Sequence, residues 1–165
     1  MTGLTSKWTM AALAVIGILL FLYLIGQKSV HTELVIEASP QQIWDVLMDE
    51  EGYKEWNHVL FPVAGEIEQG NSLPYHLINP KGETIEFEFE VIQSVPLELL
   101  NQKGGVLGVF TFDHRYILEP FGNHTKVTLH EDFRGIIVPF WNVDWVQQAY
   151  IDLNQSLRKF VLKSK

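Results

Sequence analysis

The sequence contains no cysteine. That excludes a disulfide framework, a thiolate nucleophile, an iron–sulfur cluster and a cysteine-type zinc site, and it leaves the redox compartment open. Histidine does not compensate, because His31, His58, His76, His114, His124 and His130 show no HExxH or related metal-ligand spacing. A phosphate-cradling loop is also missing: Gly104, Gly105 and Gly108 follow a strand signal but open no helix. Neither a metal nor a cofactor is expected. Positive charge is scarce, with 12 Lys and Arg against 20 Asp and Glu and a net charge of −8. Gly and Pro together number only 19 of 165 residues, and 47% of residues are hydrophobic, which excludes disordered and collagenous chains. This length accommodates one ordinary domain with a short appendage.

Charge is also absent locally. From Thr9 to Gly26 no residue is charged, and a helix of that length spans roughly 27 Å, enough for the hydrocarbon core of a bilayer. Trp8 and Tyr23 lie near its ends, and Lys7 and Lys28 flank it. A cleaved signal peptide would have a shorter apolar region and an A-x-A-like site, which Leu24 and Gly26 do not form. The expectation is an uncleaved single-pass anchor over 1–28 and a domain over 29–165. Each flank carries one Lys, and the α-amino group precedes the helix. The positive-inside rule therefore leans only slightly to a cytoplasmic N-terminus and a non-cytoplasmic domain. All 20 acidic residues follow Lys28, against 10 basic ones, so the domain carries −10. Such a surface does not attract phosphate backbones, and nucleic acid is not an expected partner.

Within the domain, Ser29 to Glu37 reads as a strand. Ser39 is an N-cap with Pro40 at the first helical position and Gln42 completing a capping box. Ile43, Trp44, Val46 and Leu47 give that helix its apolar face, Gly52 ends it, and a short helix around Tyr53 to Trp56 follows. Trp44 and Trp56 are expected to close one end of the core. Strand signals run over Val59–Glu68, Leu73–Ile78, Glu83–Gln93, Leu97–Gln102 (ended by Gly104-Gly105), Phe110–Glu119 and Thr125–Arg134. In Glu83–Gln93, Ile85, Phe87, Phe89 and Val91 alternate with Glu86, Glu88 and Glu90, which marks a solvated face rather than a cation site. After Gly135 a long helix is expected, with Pro139 at its start and Trp141, Trp145, Ala149, Leu153, Leu157 and Phe160 at helical spacing. Runs of antiparallel strands with segregated helices indicate an α+β fold.

Three segments, IEASPQQIWDVLMDEEGYKEWN, FDHRYILEPFGNHTKVTLHEDFRG and the helix after Gly135, resemble the START/polyketide-cyclase-like (SRPBCC) superfamily. The resemblance covers roughly Val30 to Lys163. It implies the helix-grip fold, a curved antiparallel sheet of about seven strands wrapped around a long C-terminal helix, with an apolar cavity between them. The positions it turns inward include Phe87, Phe89, Phe110, Phe112, Tyr116, Leu129 and Phe133 on the sheet and Trp145 and Ala149 on the helix. These suit a lipid, isoprenoid or polyketide-like ligand, unless the side chains fill the space. Superfamily members range from lipid carriers and aromatic cyclases to heat-shock ATPase activators, so the fold alone does not choose a function.

Two polar residues interrupt the inward rows. With a hairpin turning at Gly122-Asn123, opposed residues sum to 245, which sets Glu119 against Lys126 and His114 against Glu131. A slip of one residue would oppose apolar to polar side chains throughout. A carboxylate beside an imidazole in an apolar setting braces the sheet, anchors a ligand hydroxyl or carbonyl, or works as an acid–base pair. Three functions follow. The first is a membrane-tethered binder of a hydrophobic small molecule. The second is a cyclase or dehydratase using His114 and Glu131. The third is a module acting on a protein partner. The run Ile136 to Trp141 either reaches the membrane, gates the cavity or joins the core.

Overall fold

The computed structural model describes residues 2–163. Helix α1 (Thr2–Ile25) is followed after one residue by strand β1 (Gln27–Ile36). Two short helices, α2 (Pro40–Leu47) and α3 (Tyr53–Trp56), precede strands β2 (Leu60–Pro62), β3 (Ser72–Ile78), β4 (Thr84–Val95), β5 (Leu99–Val106), β6 (Phe110–Phe121) and β7 (His124–Arg134). A 3-10 turn (Val138–Phe140) leads to α4 (Asp144–Lys163). The strands form one antiparallel sheet in the order β1-β7-β6-β5-β4-β3-β2. It curls as a half-barrel around α4, so the fold is helix-grip α+β.

Local chemistry accounts for the element boundaries. Ser39 caps α2 through a complete capping box, with Pro40 where its missing N–H costs nothing. The β6–β7 hairpin has the expected register, from Phe121 opposite His124 to Thr111 opposite Arg134. Lys126 Nζ lies 2.6 Å from Glu119 across it. Trp44 and Trp56 are buried as expected, and Glu86, Glu88 and Glu90 face solvent.

Several boundaries differ from the sequence reading. Helix α2 ends at Leu47 with Met48 as its C-cap, and Gly52 is instead the N-cap of α3, while β1 starts at Gln27 rather than Ser29. The strand expected over Val59–Glu68 contracts to three residues, because Pro62 lacks an N–H for further pairing and Gly65 turns at positive φ. Gly104 and Gly105 do not end β5, which pairs with β6 as far as Val106 opposite Phe110. Gly104 instead permits close approach, since a Cβ there would lie 2.3 Å from the ring of Phe112. Finally, α4 starts at Asp144 rather than Pro139. Pro139 belongs to the 3-10 turn, Trp141 is extended, and Asn142 Oδ1 accepts from the Asp144 N–H at 2.8 Å.

Candidate functional site

One transverse row of the sheet organises the interior. Gln102 on β5 is opposite His114 on β6, which is opposite Glu131 on β7, with Val91 and Val30 flanking them on β4 and β1. All five are buried, His114 to 2% and Glu131 to 4% exposure. His114 and Glu131 are therefore cross-strand partners on the inner face. Tyr150, from the middle of α4, joins them. Its hydroxyl lies 3.0 Å from His114 Nδ1 and donates to Glu131 Oε2. His114 Nδ1 and Glu131 Oε2 are 3.8 Å apart, too far for a direct hydrogen bond. A phenol has one proton, and this one is given to the carboxylate, so its oxygen accepts from Nδ1–H of His114. Burial first, and then the Glu131 carboxylate, push the Tyr150 phenol well above its ordinary range and keep it a donor.

On one side of this row the interior is filled. Leu100, Tyr116 and Leu129 form the next transverse row. Helices α2 and α3 cover it with Ile43, Leu47, Tyr53 and Trp56, all buried. On the other side lies a cavity of about 600 Å³. Its sheet wall is Phe87 and Phe89 of β4, Phe110 and Phe112 of β6 and Phe133 of β7, and its helix wall is Trp145, Val146 and Ala149 of α4. Trp141 stands edge-on to Phe110 and Phe133, with centroids at 5.3 and 4.7 Å, and closes the side between β7 and α4. Glu131 and Tyr150 are the polar side chains at the cavity floor, and Glu86 is at its exposed rim beside His76.

Eight of the eleven residues singled out from the sequence line this cavity: Phe87, Phe89, Phe110, Phe112, Glu131, Phe133, Trp145 and Ala149. The other three lie deeper. His114 sits behind the floor among the rings of Phe89, Tyr116 and Tyr150, and Tyr116 and Leu129 belong to the filled half. The sequence reading missed Tyr150 and Gln102. Tyr150 falls in the buried stripe Val146, Tyr150, Leu153, Leu157, Val161, one position from the stripe chosen. A tyrosine there, opposite a carboxylate in need of a donor, was the available signal. Gln102, whose Nε2 donates to the Tyr75 hydroxyl at 2.9 Å, becomes an inward residue only once β5 is known to run past Gly104.

Comparisons with known proteins agree with this architecture. No curated protein matches the sequence. Among solved structures, a START superfamily protein from Mycobacterium smegmatis is similar at TM-score 0.64 and 17% identity, over 83% of this chain and 99% of that one. A Thermus thermophilus protein is similar at TM-score 0.64 and 18% identity, over 84% and 99%. A protein from Arthrobacter aurescens reaches TM-score 0.68 at 14% identity, over 82% and 86%. These likenesses show a shared fold. The family described as polyketide cyclase/dehydrase and lipid transport matches residues 27–161, which is every element after α1 and nearly all of α4, and the chain belongs to that family.

Proposed function

We propose that the protein binds a hydrophobic small molecule (a lipid, isoprenoid or polyketide-like compound) carrying one hydrogen-bond donor, and that α1 tethers the binding domain to a membrane. The observation that carries this reading is an apolar cavity of about 600 Å³ with a tyrosine-supported carboxylate at its floor. That volume lies within the roughly 300–1,000 Å³ of small-molecule sites, which combine apolar walls with a few placed polar groups. A carboxylate in such a wall is costly unless it is hydrogen-bonded. Tyr150 supplies one bond, and a ligand hydroxyl would supply another. The tether is supported by α1, in which Lys7–Ile25 is long and apolar enough to cross a bilayer and is not buried against the domain.

Extraction of the full chain from its native membranes in mild detergent, followed by mass spectrometry of retained molecules, tests the reading. An apolar compound with a hydroxyl or similar donor is expected at near one per chain. Glu131→Gln, which keeps an acceptor for Tyr150 but removes the charge, is expected to lower its occupancy about tenfold, the order of one charge-assisted hydrogen bond. An empty wild-type cavity would overturn the proposal.

The hydrogen-bonded chain from His114 through Tyr150 to the Glu131 carboxylate favours a second reading, a cyclase- or dehydratase-type enzyme. There the Glu131 carboxylate would take a proton from a substrate carbon or hydroxyl, and the Tyr150 phenol would give its own to the substrate while recovering one from the newly protonated Glu131 through their hydrogen bond. Chemical change in a retained or added polyketide-like compound, abolished by Glu131→Gln, would distinguish catalysis from carriage.

A further inference from the structure

The end of the domain at which the cavity opens is the end at which α1 joins it. Only one residue, Gly26, separates α1 from β1, and it is held by backbone contact rather than left as a linker. The Gly135 N–H donates to Gly26 O at 2.9 Å. A Cβ on Gly26 would lie 2.0 Å from Gly135 O, and one on Gly135 would lie 2.1 Å from Val109 O. Two glycines thus bring the end of α1, the segment after β7 and the β5–β6 turn into backbone contact. The ladder continues through Ile136 N–H to Gly108 O at 3.1 Å and Ile137 N–H to Val109 O at 3.3 Å.

This same end carries the most exposed apolar side chains of the domain. Leu107 is 87% exposed and Phe140 77%, with Val106, Val109 and Ile137 exposed beside them. Val106, Val109 and Ile137 also line the cavity, so the mouth and the apolar patch are continuous. Monomeric domains seldom expose such a contiguous patch without an occupant. The Ile136 to Trp141 run accordingly divides: Val138 is buried, Trp141 walls the cavity, and Ile137 and Phe140 face outward.

We infer that Leu107, Ile137 and Phe140 dip into the membrane leaflet next to α1, so that the cavity mouth opens into the acyl layer. The inference rests on the membrane tether and on the cavity being a ligand site. Ile25 is the last residue of the apolar span, so Gly26 lies at the bilayer interface. Leu107 is within three residues of the backbone touching Gly135, which limits its separation from that contact to roughly 10 Å. A second copy of the chain is a poorer occupant, because the patch lies at the end of the domain where α1, a helix apolar enough to cross a bilayer, joins it. A ligand entering here would pass from acyl chains to apolar walls without crossing water, and the domain's charge of −10 would not oppose an apolar contact as it would an anionic headgroup.

Since the natural chain has no cysteine, Leu107→Cys, Phe140→Cys and Phe121→Cys each give a single site for an environment-sensitive fluorophore. Phe121, also well exposed, lies at the opposite end of β6 and serves as the reference. The full chain is reconstituted in phosphatidylcholine vesicles and quenched either by spin-labelled phosphatidylcholine or by aqueous iodide. Lipid quenching at 107 and at 140 is expected to exceed that at 121 at least threefold, with iodide quenching reversed. Lipid quenching at either position no greater than at 121 would overturn the inference, and protection from both quenchers would do so by marking a protein contact. A chain that inserts these side chains but retains no apolar molecule would overturn the ligand reading alone.

Discussion

The inner face of β6 carries two different interiors. Toward the β6–β7 hairpin, Tyr116 and Leu118 are packed under α2 and α3. Toward the start of the strand, Phe110 and Phe112 line the cavity. Both halves alternate in the same way and both are aromatic or aliphatic, so side-chain character does not separate them. The difference lies in what covers them. Two short helices bring Ile43, Leu47, Tyr53 and Trp56 onto the far half, whereas the near half faces Ile137, Trp141 and the first half of α4 across the cavity. The row Gln102, His114, Glu131 with Tyr150 is the partition. It places hydrogen-bonded polar groups where dense packing stops, and such groups fix geometry that an apolar floor would leave adjustable.

The largest test of this contrast sets the two halves against each other. Trp56→Ala removes a fully buried side chain from the filled half and is expected to cost about 3–5 kcal/mol. Phe110→Ala widens a space that already exists and is expected to cost under about 2 kcal/mol, while weakening ligand retention. Denaturant unfolding of the detergent-solubilised chain, followed by circular dichroism, compares them. Equal losses would break the contrast and imply a cavity closed in solution.

At the partition itself, Tyr150→Phe leaves His114 Nδ1 and Glu131 Oε2 without their shared hydroxyl. The expected loss is about 1–3 kcal/mol, the cost of unsatisfied buried polar groups. Replacing Glu131→Gln in the Tyr150→Phe background should then cost less than it does alone, because the two act through one contact. Additive losses in that double-mutant cycle would show that the three residues are not a unit.

Much of this was legible in the sequence, for identifiable reasons. The Gly122-Asn123 turn and the pairing of like with like across β6 and β7 define the register, and with it the placement of His114 opposite Glu131. The capping box at Ser39 specifies the start of α2. What could not be read were features that depend on a third partner. Tyr150 has meaning only when α4 crosses the sheet at that row. Pro139 resembles a helix start until the close contact at Gly135 shows that the chain must first turn away from Gly26. Tyr116 and Leu129 follow the same alternation as the cavity residues, and only the cover provided by α2 and α3 sets them apart.

Alkaline pH sharpens the contrast from another side. Tyr53, Tyr116 and Tyr75 belong to the buried interior, and burial pushes each phenol up, as it does at Tyr150. A raised folded-state value means that the stabilisation is fully present below the unfolded value near pH 10 and is lost as pH rises toward the folded value. Each such tyrosine adds about 1.4 kcal/mol per pH unit to the fall in stability above roughly pH 10. Tyr116→Phe should reduce that slope by about one such unit, read from unfolding curves between about pH 10 and 11.5. A slope unchanged by Tyr116→Phe would mean that the filled half admits water.

The smallest expected effect is on the outer face, where a charged cluster spans the partition. Lys103 Nζ is 2.9 Å and Arg115 Nη2 is 2.8 Å from Asp113 Oδ2, and Arg115 also reaches Asp132 at 3.2 Å. Partial burial raises the Asp113 carboxyl, but hydrogen bonds from Arg115, Lys103 and Asn101 outweigh it and hold the group below its ordinary range. A depressed folded-state value stabilises the protein above the unfolded value near pH 4, and that contribution disappears as pH falls through the folded one. Asp113→Asn should therefore destabilise the chain at neutral pH by less than about 1 kcal/mol, as expected for a partly exposed ion pair. Unfolding curves of the two proteins should converge as pH drops from about 4 toward 2. Since these charges brace β5, β6 and β7 from outside at the level where the inner packing changes, added salt should shrink the neutral-pH difference while leaving the Tyr150→Phe loss in place. If salt erased both losses, the inner partition would be a solvated feature like the outer one, and the division between a filled and a hollow half would lose its physical basis.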